Sequence, residues 1–207
     1  MAIIICVLGF FALPILALAA YSIPTLLHSI GVAIVAKKFA KVMGYGFFKT
    51  SYMVANAIFH DVGKLGVSRK ILHGTHRLSK EERDEINTHT SNIIARVYGI
   101  VFPAAIGHHV NHTGNGYGAE KTQSEVSAFI EICDVFDALT GLFRKYTSRR
   151  PMEVIARIMN EEKSKFNPAM FSLFMANFDT FEPSKFMISL DDLYKTEKNT
   201  EKKEAHI

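Results

Sequence analysis

The chain of 207 residues has little cysteine: Cys6 and Cys133, one in an apolar leader and one in a helical stretch, exclude a disulfide framework. Internal repeats and low-complexity tracts are missing, and no alternating apolar and polar run is long enough to read as a half-buried strand. A strong charge of either sign is missing too. The formal charge of +4 and pI near 9.0 suit an anionic small molecule but leave no large basic face for polymeric nucleic acid, which is therefore not an expected partner. Charged and strongly polar side chains are absent from residues 1–20, and the first Lys or Arg is Lys37.

What is present is helical. Ser79 with Glu82 and Thr122 with Glu125 have capping-box spacing, and Pro151 and Pro168 stand where a first helical residue would. Apolar residues recur at helical spacing over 29–43, 51–60, 84–97, 124–140, 152–159 and 169–177. Turns fall at Gly44 to Gly46, in 63–78 and in the glycine-bearing 111–121 segment. The expected fold is all-α, a helical bundle of one domain over residues 21–180 with a C-terminal extension and charged tail over 181–207. Residues 1–20 are long enough to cross a bilayer, and Lys37, Lys38 and Lys41 beyond them would leave the domain in the cytoplasm at the inner membrane. A signal peptide ending near Ala17-Leu18-Ala19, or a buried first helix of a cytoplasmic protein, are the alternatives.

Five histidines and two aspartates carry the chemistry: His28, the pair His60-Asp61, His89, the pair His108-His109, and Asp134. A His-Asp pair alone would arise by chance in roughly three of ten chains of this composition, so only the ordered set is informative. Imidazole and carboxylate together suit a dinuclear centre, in which two ions clamp the attacking and leaving oxygens of a phosphate ester. Asp134 and Asp137, three residues apart, share one helix face.

In this order the residues resemble the HD superfamily of metal phosphohydrolases, and within it the HD-GYP family. Phe59-His60-Asp61-Val62-Gly63-Lys64-Leu65-Gly66 is similar to that family's signature. Leu78 to Glu82 leading to His89, His108-His109, Gly114-Asn115-Gly116-Tyr117, Asp134-Val135-Phe136-Asp137-Ala138-Leu139 and Phe166-Asn167-Pro168 follow in family order, over residues 25 to 177. The chain departs from the family at Gly118, which replaces the Pro of the loop, and at Val110, Thr113 and Ala128, where Glu, an acid and Arg are usual. Pro24 occupies the position of a third-metal Glu, so two metals are expected.

The resemblance implies a phosphodiesterase that linearises cyclic di-GMP to pGpG or GMP with two divalent ions, iron or manganese. Asp61 would bridge the ions, His28, His60 and Asp134 would complete one set, and His89, His108 and His109 the other. Lys64 would contact phosphate, Tyr117 the nucleotide, Asp137 the substrate or a ligand, and Arg144 and Lys145 the phosphate again. A module that binds a cyclic dinucleotide or protein partner without turnover, or a hydrolase of another nucleotide, are the competing readings. A homodimer or a signalling-protein partner stays open, and no GGDEF-type synthase motif or receiver domain accompanies the region.

Overall fold

Short polar side chains cap half of the helices, and a computed structural model describes residues 2–141 and 150–183, with side chains from Gly9 onward. These residues form ten α-helices in chain order, α1 (Ala2–Tyr21), α2 (Ile23–Val42), α3 (Phe47–Phe59), α4 (Arg69–Leu72), α5 (Lys80–Asn87), α6 (Ile93–Gly99), α7 (Ala104–Gly107), α8 (Glu125–Thr140), α9 (Met152–Glu161) and α10 (Pro168–Ala176). No strand occurs among the described residues, only one isolated bridge between Val110 and Gly116. The all-α expectation holds.

Ser22 accepts from the Thr25 N–H and starts α2 six residues before its predicted periodicity begins. The capping box of Ser79 and Glu82 forms on α5, and Asn167 caps α10 with Pro168 in its first turn. Two sequence expectations shift. Ser124, not Thr122, caps α8, because its hydroxyl accepts from the Ser127 N–H while Glu125 turns outward to Lys49 and Tyr45. The predicted helix over 84–97 breaks into α5, a 3₁₀ turn at Thr88–Thr90 and α6, with the Asn92 side chain accepting from the Ala95 N–H to begin anew. That break rotates His89 inward.

Helices α2, α3 and α8 pack together around Phe39, Phe129, Phe136, Phe174 and Phe181, all fully buried. Phe39 stacks on Phe129 at 4.7 Å between centroids and Phe174 on Phe181 at 4.2 Å. Each such ring contributes about 1.5–3 kcal/mol by leaving water, so this end of the bundle is a rigid platform for the polar residues at the other. Helix α1 runs along the domain: Leu18 is buried, Phe10 stacks on Tyr98, and the Tyr98 hydroxyl donates to the Phe10 carbonyl at 3.0 Å. Near the N-terminus α2 is long and apolar enough to cross a membrane, and more than half of it is buried inside the fold.

Candidate metal centre

The seven residues of the His and Asp set come from five separate places in the chain and meet in one buried cluster. His28 lies mid-helix on α2 and Asp134 on α8. His60 caps the C-terminus of α3, and Asp61 follows it at the bend into a 3₁₀ turn over Val62–Gly66. His89 comes from the Thr88–Thr90 turn, and His108 caps α7, with His109 next. His60, Asp61, His89 and His108 are at most 1% exposed, and His28 and Asp134 are 8% exposed.

Three overlapping groups have their ligand atoms within 4.8 Å of one another: His28, His60 and Asp134 on one side, His89, His108 and His109 on the other, and His60, Asp61 and His108 spanning the two. Asp61 lies between them. Its Oδ2 is 3.8 Å from His28 Nε2 and 3.4 Å from His60 Nε2, while its Oδ1 is 3.3 Å from His89 Nε2 and 3.8 Å from His108 Nε2.

The histidines are oriented from behind. His60 Nδ1 donates to the Ala57 carbonyl at 2.7 Å, His89 Nδ1 to Ile86 at 2.6 Å and His108 Nδ1 to Ala104 at 2.6 Å. A carbonyl can only accept, so each neutral ring carries its proton on Nδ1 and aims the Nε2 lone pair inward. His89 Nε2 and His108 Nε2 then face each other at 3.4 Å, and His60 Nε2 and Asp61 Oδ1 are buried without a hydrogen-bond partner. Lone pairs converging in a buried space repel unless a cation sits among them. The donor set therefore fits a pair of divalent ions. Asp137 Oδ2 meets His28 Nδ1 at 2.7 Å and plays the part that a carbonyl plays for the other rings.

Burial keeps the second group neutral: His89 is pulled down to about 3 and His109 to about 4, and His108 lies well below the ordinary imidazole range, with His109, His60 and His89 adding to its burial. Burial opposes ionisation of Asp61 as well, yet the Lys64 ammonium beside it leads the interactions that outweigh burial and hold the carboxyl well below the usual range. His28 goes the other way: burial would lower it, but the hydrogen bonds its ring donates to Asp134 and Asp137 overcome burial and raise it to about 9. The metal-free protein should therefore lose stability on both sides of neutrality. As pH falls below about 6.5 the unfolded chain takes up protons that native His89, His108 and His109 refuse, and as it rises from about 6.5 towards 9 the contribution of protonated His28 is lost. Urea denaturation in chelator across this range should show a maximum near neutral pH, and His89→Gln should flatten the acid limb.

Lys64 reaches back to pair with Asp61 Oδ2. Tyr117 stacks on His109 at 4.4 Å between centroids, held there by its N–H on the His109 carbonyl and by the Val110 to Gly116 bridge. Arg144 and Lys145 lie outside the described residues. Sequence reasoning missed Asn92, whose amide ties the Gly63 carbonyl to the His89 turn at 2.8 Å, and Glu131, a carboxylate that burial pushes up to about 8. A polar residue after a predicted bend was the available signal for Asn92; nothing in the pattern marks Glu131.

A helical domain with a His and Asp cluster of this layout is an HD domain. The HD domain family model matches residues 25–139, more than half of the chain, and the protein belongs to that family. Among known proteins it is similar to 3'3'-cGAMP-specific phosphodiesterase 1 of Vibrio cholerae, at 29% identity over 74% of this chain and 38% of that protein. It is also similar to the cyclic di-GMP phosphodiesterase of Thermotoga maritima, at 25% identity over 83% of this chain and 47% of the relative. The chain thus spans less than half the length of these curated relatives. In fold it matches the HD domain of the L. monocytogenes phosphodiesterase PgpH in complex with cyclic-di-AMP, with a TM-score of 0.59, 18% identity, and coverage of 82% of this chain and 97% of that one.

Proposed function

We propose that this domain is a metal-dependent phosphodiesterase of the HD-GYP type that opens cyclic di-GMP to pGpG or GMP. The observation that carries the proposal is Asp61, whose two oxygens face two separate histidine groups across a buried space. In this reading His28, His60 and Asp134 would hold one divalent ion and His89, His108 and His109 the other, with Asp61 available to both, and iron or manganese would be the metals. Such a pair of ions supplies a deprotonated water as nucleophile at neutral pH and balances charge on a phosphodiester.

The chain's own residues bind and orient. Asp137 fixes the His28 ring through Nδ1, so that Nε2 stays aimed at the cluster. Lys64, half-buried beside Asp61, offers its ammonium to the phosphoryl oxygens as charge builds on them. Burial raises the Tyr117 phenol, which keeps its proton and can donate a hydrogen bond to the nucleotide while its ring backs His109. Arg144 and Lys145 are proposed to reach the same phosphates. Tyr117 also lines a groove of about 490 Å³ with Asp84, Asn87, Thr88, Gly116 and Lys121, and its ring stacked on His109 links that groove to the second histidine group. The groove suits a nucleobase and its sugar.

The departure at the Gly-Tyr-Gly loop is accommodated by the fold. A side-chain carbon on Gly118 would come within 2.7 Å of Val110 Cγ2 and 2.8 Å of the Ile106 carbonyl, so a proline there would collide with what Val110 occupies. The two unusual residues fit each other. We further propose that the protein works at the cytoplasmic side of the inner membrane, held by its apolar N-terminal segment.

Residues 1–207, purified without oxygen and supplied with iron(II) or manganese(II), should convert cyclic di-GMP to pGpG or GMP. Comparison with 3'3'-cGAMP and cyclic di-AMP ranks the substrates. No product from protein that has bound both ions would overturn the cyclic dinucleotide reading.

A further inference from the structure

The face built by α1, α2 and α3 has a chemistry unrelated to the metal centre. Residues 1–60 contain no Asp or Glu, and their charges are Lys37, Lys38, Lys41 and Lys49. Between α1 and α3 runs an open apolar groove of about 520 Å³, lined by Phe11 and Ile15 on one side and by Phe47, Val54 and Ile58 on the other, with Lys37 at its rim. In the first turn of α3 the adjacent rings of Phe47 and Phe48 are 79% and 87% exposed, and on α1 Leu13 and Leu16 are 66% and 64% exposed.

Helix α1 is therefore apolar on both sides. Phe10 and Leu18 face the domain while Leu13 and Leu16 face away, and no polar face exists to meet water. Folded monomers rarely leave so much contiguous apolar surface uncovered, which calls for a second apolar contact. Charge selects among the occupants. Lys37 and Lys41 are exposed, and the carboxylate that reaches this face from α8, Glu125, is taken by Lys49 and Tyr45. A second copy laid on the same face about a two-fold axis would bring lysines together with no acid on these helices to offset them. A layer of lipid phosphates above an apolar interior complements both features, and aromatic rings with flanking lysines favour that boundary.

We propose that the α1–α3 face seats the domain on the surface of a bilayer containing anionic phospholipid, with Phe47 and Phe48 inserted and Lys37 and Lys41 at the headgroups. The proposal deepens the membrane association stated above by giving it a surface. The stretch from Phe10 to Tyr21 is docked on the domain at Tyr98 and, through the Tyr21 hydroxyl, at the Val67 carbonyl, so it lies along the interface and not across it.

Flotation of the full metal-loaded chain with vesicles of phosphatidylcholine, with or without phosphatidylglycerol, tests this. The parent should float with the anionic vesicles, salt should weaken it, and Lys37→Gln with Lys41→Gln should reduce partition by roughly 30-fold. Phe47→Ser with Phe48→Ser should abolish it. Unchanged circular dichroism and unchanged turnover in solution show that both variants fold. Parent protein that ignores anionic vesicles, or variants that float as well as the parent, would overturn the proposal, as would a dimer in ultracentrifugation that the Phe variant splits while vesicle binding persists. Flotation without turnover would sink the enzymatic reading alone.

Discussion

Asp61→Ala is expected to abolish binding of the two proposed metal ions and, with them, the proposed phosphodiesterase turnover, by roughly 10³-fold or more. Asp61 is the one carboxylate of the cluster that both histidine groups face, Oδ2 towards His28 and His60 and Oδ1 towards His89 and His108. Without it the Lys64 ammonium loses its carboxylate partner and the converging imidazoles keep only Asp134, on the His28 side, as an anionic donor, which disfavours binding a cation among His89, His108 and His109. Asp61→Asn separates charge from shape, because it keeps the volume and loses the anion; it should lose metal nearly as completely. Asp137→Ala is a graded comparison. It frees the His28 ring but removes no group that points at the cluster centre, so metal affinity should fall only about 10- to 100-fold. Elemental analysis together with product formation reads all three variants. Asp61→Ala protein that keeps its metals and its turnover would place the reaction elsewhere in the domain.

The cluster was legible in the sequence because its residue types are chemically expensive. Buried His and Asp converging from several helices and turns have few uses, and their order survived every error in helix boundaries. The boundaries themselves were decided by contacts that the pattern does not show. Thr122 and Ser124 are equally good caps by type, and Ser124 wins because Glu125 finds Lys49 and Tyr45 from α3 and the turn before it. Periodicity over 84–97 continued through residues 88–92, whereas the fold breaks there, since one continuous helix could not both present α5 to solvent and turn His89 into the cluster. Gly118 and Val110 looked like two separate losses. In the fold they are neighbours, and such a paired change cannot be read from positions eight residues apart. The apolar leader was ambiguous for the opposite reason: composition describes a helix that avoids water, and only the contacts of Phe10, Leu18 and Tyr21 reveal that one side of it is covered by protein.

Gly63→Ala is expected to damage the centre from outside it. Gly63 sits in the 3₁₀ turn after Asp61, and a methyl group there would fall onto the His89 carbonyl oxygen, with Ala95 Cβ a further 3.1 Å neighbour. Both obstacles belong to packed backbone or to a side chain too short to swing away. The Asn92 amide, bonded to the Gly63 carbonyl, meanwhile holds the two turns in contact. Relief therefore requires the His89 turn to move, at a cost of about 1–3 kcal/mol. For a chain of this size that lowers the melting temperature by roughly 3–10 °C. The same movement draws His89 away from Asp61 Oδ1, where it now stands at 3.3 Å, and a misplacement of about 1 Å at a reacting centre can reduce turnover about 100-fold. In the proposed two-metal centre, binding at His89, His108 and His109 should weaken first and binding at His28, His60 and Asp134 should persist, a split that a titration with manganese(II) would resolve. Gly44→Ala is the control, for Gly44 has φ of 70° and open space around it, so alanine there costs backbone strain of about 1–2 kcal/mol and touches neither turn. If both variants lose the same stability but only Gly63→Ala loses the His89 metal, the contact between the two turns, and not stability at large, sets the geometry of the second histidine group.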